Sequence, residues 1–218
     1  MFIEAYQDPA FQEITNSAEV VTPDGRPLLW GLKILKGINQ NRVAGMDLLP
    51  DLLQEMEFKN ITAFFYGGTQ EMLDTTSIYI KTTYPKLKIA GLHSPPFDGK
   101  EDSSLNEIIN KINNSFPCIV FVVLGCPKQE KWMNSMKDKI HTVMIGIGGA
   151  LPVTIGMQKR APLWMQNRGL EWLFRLSLEP DRLFKRYFIT NSLFLWIFLK
   201  EFLRIKIGVP LGLSKAIK

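Results

Sequence analysis

From residue 61 onward, short apolar runs alternate with longer amphipathic ones. The runs at 61–66, 87–91, 118–124 and 142–147 have the length of strands, and most lack a polar residue at every second position. A strand that is apolar on both sides is one covered on both sides, as in a parallel sheet between helices. The intervening stretches, reaching to about residue 83, from about 104 to 114 and from the 125–127 turn to about 137, carry apolar residues at helical spacing. The pattern predicts an α/β fold with a mostly parallel sheet and helices on both faces.

The first sixty residues read differently. Asp8-Pro9 is an N-cap followed by proline in the first helical turn, opening a short helix to about residue 17. Residues 18–22 form a strand candidate stopped by Pro23-Asp24-Gly25, which is turn chemistry. Residues 27–36 look helical and end at Gly37, a C-cap signal. Residues 46–58 form a further helix with an early proline, Pro50. Beyond residue 158 the chain turns rich in Trp, Phe, Leu and Arg and loses its strand runs. Residues 1–158 are therefore expected to form the core, and residues 159–218 a helical appendage.

Charge sharpens this division. The net charge is +5, yet from Arg160 onward there are 11 Lys and Arg against 4 Asp and Glu, and before it 15 against 17. The basic excess belongs to the tail and calls for an anionic partner there. The uncharged stretch 187–199 is too short to cross a hydrocarbon layer, which needs roughly 20 residues. Arg168, Arg175, Arg182 and Arg186 are spaced for a stripe that Pro180 divides between two helices, and aromatic residues are interleaved among them. Such a composition suits either a membrane interface or a helical subdomain with its aromatics turned inward. The start, MFIEAYQDPAF, has neither the basic nor the apolar segment of a secretory signal. Two cysteines, Cys118 and Cys126, fit a reducing compartment.

Candidate chemistry gathers where strands end. Gly67 and Gly68, Gly125, and Gly148 and Gly149 each follow a predicted strand. In an open parallel sheet, ligands bind beyond the carboxyl ends of the strands, where helix N-termini offer N–H groups to phosphates. Glycines in tight strand-to-helix turns are the alternative, and neither a Walker A nor a G-x-G-x-x-G pattern is present. Lys128, Gln129 and Glu130 begin the helix after the Gly125 loop. Asp24 is a loop carboxylate that serves either as a general base or as a turn former. Asn41 and Arg42 occupy a polar loop. No Asp-x-Asp pair and no cluster with metal-ligand spacing occurs in the sequence.

The ordered blocks Pro-Asp-Gly-Arg-Pro at 23–27, Asn-Arg-Val-Ala-Gly-Met-Asp-Leu at 41–48, Phe-Tyr-Gly-Gly at 65–68 and Tyr-Pro-Lys-Leu at 84–87 are distinctive. So are Leu-Gly-Cys-Pro-Lys-Gln-Glu-Lys-Trp at 124–132, Gly-Ile-Gly-Gly at 146–149 and the closing blocks at 160–164, 169–176 and 179–183. Over about residues 4–190 the chain resembles the WecG/TagA/CpsF family, glycosyltransferase family 26. The resemblance implies a Rossmann-like sheet and an inverting, metal-independent transfer of a sugar, often N-acetylmannosamine or its uronic acid. The implied donor is a UDP-sugar and the implied acceptor undecaprenyl-diphosphate-linked N-acetylglucosamine. The setting is teichoic acid, capsule or exopolysaccharide synthesis at the inner face of the bacterial plasma membrane.

By the same resemblance Asp24 is the base for the acceptor hydroxyl, and Arg42 and Gln129 line its pocket. The glycine loops with Lys128 and Glu130 are expected to hold the donor, and Arg175 and Arg182 to meet phosphates. No cofactor is implied. The appendage is expected to engage the membrane and to compete with self-association. Family members carry a further N-terminal strand with a Thr-x-Asn motif, ahead of the segment matching the start of this sequence. An inactive relative that binds UDP-sugar or lipid is therefore a second reading. A nucleic-acid-binding tail is a remote third, since it would leave the glycine loops idle.

Overall fold

The apolar runs are strands of one parallel sheet. The computed structural model describes residues 1–96 and 105–207. In chain order the elements are α1 (Phe2–Gln7), α2 (Pro9–Asn16), α3 (Arg26–Lys36), α4 (Gly45–Phe58), β1 (Ala63–Gly67), α5 (Gln70–Thr83), β2 (Ile89–His93) and α6 (Leu105–Asn114). There follow β3 (Ile119–Val123), α7 (Lys128–Met136), β4 (Val143–Gly146), α8 (Ala150–Thr154), α9 (Leu163–Asn167), α10 (Glu171–Leu178) and α11 (Pro180–Lys206). The chain groups into two compact units, one of Gly45–Lys159 and one of Met1–Ala44 together with the chain from Arg160 on. The first 44 residues group with the C-terminal helices and not with the sheet.

The Gly45–Lys159 unit holds a sheet in the order β2-β1-β3-β4, with every neighbouring pair parallel. Side chains alternate across it, because successive residues of a strand point to opposite faces. Phe65 and Phe121, stacked at 5.2 Å, pack on one face with Leu49, Leu53 and Met56 of α4 and Leu73 and Ile80 of α5. Phe64, Tyr66, Val120 and Val122 pack on the other with Ile108 and Ile112 of α6 and Met136 of α7. Full burial of each large apolar side chain contributes about 1.5–3 kcal/mol, so both faces supply core. The Tyr84 hydroxyl, just beyond α5, donates to the Pro50 carbonyl at 3.4 Å, and burial together with neighbouring Tyr79 pushes its pKa up to about 12.

In the other unit, Asp8 caps α2 by accepting from the Ala10 and Phe11 amides at 3.0 and 3.2 Å, with Pro9 at the first helical position. Gly37, at φ 69°, ends α3 with bonds from its own and the Ile38 amide to the Lys33 and Leu32 carbonyls. The long α11 packs on α3, α1 and α10. Phe194 meets Phe2 edge-on at 6.0 Å, and Phe194, Phe198 and Phe202 stack along one face of the helix. Its 27 residues include Arg182, Lys185, Arg186, Lys200, Arg204 and Lys206, and among the described residues no helix is long and apolar enough to cross a membrane.

One sequence expectation changes. Residues 18–22 form no strand, and Val20 is 80% exposed. The β-branched pair Val20-Val21 has strand propensity but no neighbouring strand to pair with, and propensity without pairing forms no sheet. Residues 2–7 form a helix that periodicity over so short a stretch does not reveal. Phe97, Asp98 and the segment 208–218 lie outside the described residues.

Candidate active site

In the sheet unit, the loops after β1, β3 and β4 meet at the carboxyl edge of the sheet, and their glycines divide into two kinds. Gly67 has φ 106°, and a Cβ there would stand 2.6 Å from the Val123 carbonyl oxygen, so its smallness serves contact between β1 and β3. Gly125, at φ 75°, has open space where a Cβ would project. Only the second kind leaves room for a ligand to approach the backbone. Gly68 is restrained by the Ser94 hydroxyl, which donates to its carbonyl at 2.7 Å, and Gly149 is exposed ahead of α8.

Gln129 sits in the first turn of α7 and is only 9% exposed. Its amide N–H donates to the Gly125 carbonyl at 2.9 Å. The side-chain Nε2 donates to Glu130 Oε1 at 3.0 Å, while Oε1 is buried with no hydrogen-bond partner. The space it occupies is made by glycines. A Cβ on Gly146 would stand 2.9 Å from Nε2, and one on Gly148 would stand 3.0 Å from Oε1 and 3.4 Å from Gly125 Cα. An unsatisfied buried polar atom costs about 1–3 kcal/mol, a cost that a ligand donor would remove. Lys128 is exposed at the same helix end.

Sequence reasoning assigned no role to the aromatic residues behind this amide. Trp132, one turn after Gln129, stacks on Tyr66 at 4.1 Å, and Tyr66 stacks on His93 at 5.8 Å. The Trp132 Nε1 is buried without a hydrogen-bond partner. The signal was the spacing of Gln129 and Trp132, which puts both on one side of α7.

The other unit holds Asp24 and Arg42. The Val43 amide donates to the Pro23 carbonyl at 3.1 Å, fastening the Asp24 turn to the loop that bears Arg42. Asp24 itself is exposed, immediately before Gly25, the N-cap of α3. Arg42 is ion-paired and hydrogen-bonded to Glu171 of α10, and Arg26 donates to Asn167 at 3.2 Å. Gly169 allows this packing, since a Cβ on it would come within 3.0 Å of Arg26 Cβ. Glu171 and Arg26 lie in the distinctive sequence blocks, but their pairings bring together residues far apart in the chain.

Arg175 is half-buried in the last turn of α10, whereas Arg182 is exposed on α11 and ion-paired with Glu179. The structure thus places the two on different helices, the division that Pro180 predicts. Among the described residues no group of three or more His, Cys, Asp or Glu is arranged to hold a metal ion.

The side chains of Arg42 and Glu171 are 12% and 19% exposed, so each desolvates the other's charge. Glu171→Ala is expected to lower stability by about 2–3 kcal/mol, less than for a fully buried pair, and to lower Tm by roughly 4–12 °C. Urea unfolding of the variant checks this, and an unchanged midpoint would contradict it.

The sequence model of the family described as "Glycosyl transferase WecG/TagA/CpsF family" matches residues 1–207. An N-acetylglucosaminyldiphosphoundecaprenol N-acetyl-beta-D-mannosaminyltransferase of Bacillus spizizenii is 34% identical over 180 residues, covering 82% of this chain and 68% of the relative. Proteins of the same name from Bacillus subtilis and Staphylococcus aureus are 33% and 28% identical, with 82% and 80% of this chain covered and 68% and 67% of theirs. With the match running through both units, the chain belongs to the WecG/TagA/CpsF family of glycosyltransferases.

Proposed function

We propose that this protein transfers N-acetylmannosamine or a close analogue from a UDP-sugar to undecaprenyl-diphosphate-linked N-acetylglucosamine, with inversion and without a metal ion. The observation that carries this reading is the buried, half-satisfied Gln129 amide beside the open Gly125 backbone at the carboxyl edge of a parallel sheet. The names of the similar proteins support the acceptor and the sugar.

Inverting transfer needs a base for the incoming hydroxyl, a neutralised leaving group and a sugar held in line. In this reading Asp24 takes the acceptor proton as the new glycosidic bond forms at the anomeric carbon and the bond to UDP breaks. The loops bearing Gly67, Gly68, Gly125, Gly148 and Gly149 bind the donor, with Lys128 at the end of α7. Gln129 contacts the donor sugar, and Glu130 fixes the orientation of its amide. Arg42, Arg175 and Arg182 provide positive charge for the departing diphosphate.

The C-terminal helices are proposed to lie on the inner face of the plasma membrane. Trp164, Phe184, Phe188, Leu195 and Trp196 are all more than half exposed, and Arg168 and Lys200 lie over the Trp164 and Trp196 rings. Exposed aromatics with cationic neighbours suit a lipid interface. The same apolar surface is the one on which copies of the chain would self-associate away from lipid.

The test follows UDP release from a panel of UDP-sugars with a short-chain lipid-diphosphate N-acetylglucosamine. Release that requires the acceptor and persists in EDTA is the expected result. Folded protein that releases no UDP with any donor, in the presence of detergent or lipid, would instead mark an inactive relative.

A further inference from the structure

A polar cavity of about 470 Å³ lies along α3 and the loop that follows it, in the same unit as Asp24. Its volume is within the roughly 300–1,000 Å³ range of small-molecule sites. One wall is a single face of α3, with Arg26, Trp30 and Lys33 at helical spacing, and the other is the run Asn39-Gln40-Asn41 leading to Arg42. No carboxylate is among the described residues that line it. Arg42 also lines this space and is ion-paired with Glu171, and Arg26 and Lys33 are the further cations of the lining. Arg26 has one nitrogen on Asn167, yet its Nε is buried with no hydrogen-bond partner. Trp30 is 51% exposed, a large ring left in water beside three uncharged amide side chains.

Each feature fits a part of one ligand class. Guanidinium and ammonium groups bind a diphosphate. A half-exposed indole presents an apolar face with a polar edge, and amide side chains supply both donors and acceptors, which is what a hydroxyl-rich ring carrying an N-acetyl group needs. The position puts the cavity close in the chain to the proposed base, which the acceptor hydroxyl must reach. Arg26 lies two residues after Asp24, and the Val43–Pro23 hydrogen bond clamps the Asp24 turn to the loop forming the opposite wall. A sugar diphosphate seated here would lie near the turn that carries the proposed base.

We infer that the cavity of Arg26, Trp30, Lys33, Asn39, Gln40 and Asn41 binds the diphosphate–N-acetyl-sugar headgroup of the acceptor. The inference rests on the transferase reading above. Isothermal titration of the full chain with a short-chain prenyl-diphosphate N-acetylglucosamine, and separately with UDP, tests it in wild type, Trp30→Ala and Lys33→Ala. Both substitutions are at exposed positions, and circular dichroism confirms that the variants are folded.

The expected result is acceptor affinity at least about tenfold lower in each variant, with UDP affinity unchanged. Wild-type acceptor affinity in both folded variants would overturn the site while leaving the transferase reading intact. Equal weakening toward UDP would reassign the cavity to the donor diphosphate and also overturn the inference. Failure of the wild-type protein to bind the acceptor analogue would overturn the transferase reading and the inference with it.

Discussion

Replacing Asp24 by Asn is expected to lower acceptor-dependent UDP release by about 10²–10⁴-fold, the usual contribution of a positioned general base. The substitution separates the two roles open to this residue. Asparagine serves a turn as well as aspartate does, so a carboxylate that only shaped the Pro23-Asp24-Gly25 turn would be replaced without loss. As a base, the amide cannot accept the acceptor's proton, and the chemical step fails while the backbone stays in place. Asp24 is exposed and its turn is held by the Val43–Pro23 bond, which involves backbone alone. UDP affinity should therefore match wild type, and circular dichroism checks that the variant is folded. Initial rates of UDP release at saturating acceptor make the measurement, and activity within about threefold of wild type would remove Asp24 from the mechanism.

The legibility of this chain varied with the range of the interactions involved. The four strands could be read because each is an apolar run whose signal lies in adjacent residues, as in Ile119–Val123. Helix ends marked by Asp8-Pro9 and Gly37 could be read for the same reason, since the capping chemistry is local. Residues 18–22 were misread because a strand requires a partner that no local pattern supplies. The grouping of the first 44 residues with the C-terminal helices depends on contacts such as Phe2 with Phe194. Nothing in the sequence of either segment announces that contact.

The candidate site shows the same division. Gly125 and Gln129 were picked out by their place after a strand, and the structure sets them against each other through the Gln129 amide. The restraint on Arg42 by Glu171 and the unsatisfied nitrogen of Arg26 arise from pairings across more than a hundred residues. Glycine chemistry also had to be seen to be sorted. Gly67 and Gly148 are small because protein atoms stand where a side chain would go, and Gly125 is small with nothing in front of it.

Gln129→Met is expected to lower turnover by about 10²-fold while leaving Tm nearly unchanged. The two side chains are close in length and flexibility, so methionine fills the space that Gly146 and Gly148 leave for the amide. The folded protein without ligand gains from the exchange, because the buried Oε1 has no hydrogen-bond partner and its desolvation is uncompensated. The single bond lost, from Nε2 to Glu130, leaves a half-buried carboxylate whose Oε2 is already buried without a hydrogen-bond partner, and this offsets that gain. A buried acceptor retained without a partner is the pattern of a group whose partner arrives with substrate. Removing one preorganised hydrogen-bonding group from a transition state costs about 10²–10³-fold in rate. The decisive comparison is therefore between two numbers from one variant, Tm by calorimetry and kcat by UDP release. A large fall in Tm with kcat preserved would make Gln129 a structural residue of the α7 start, and a preserved Tm with a large fall in kcat would place it on the donor sugar.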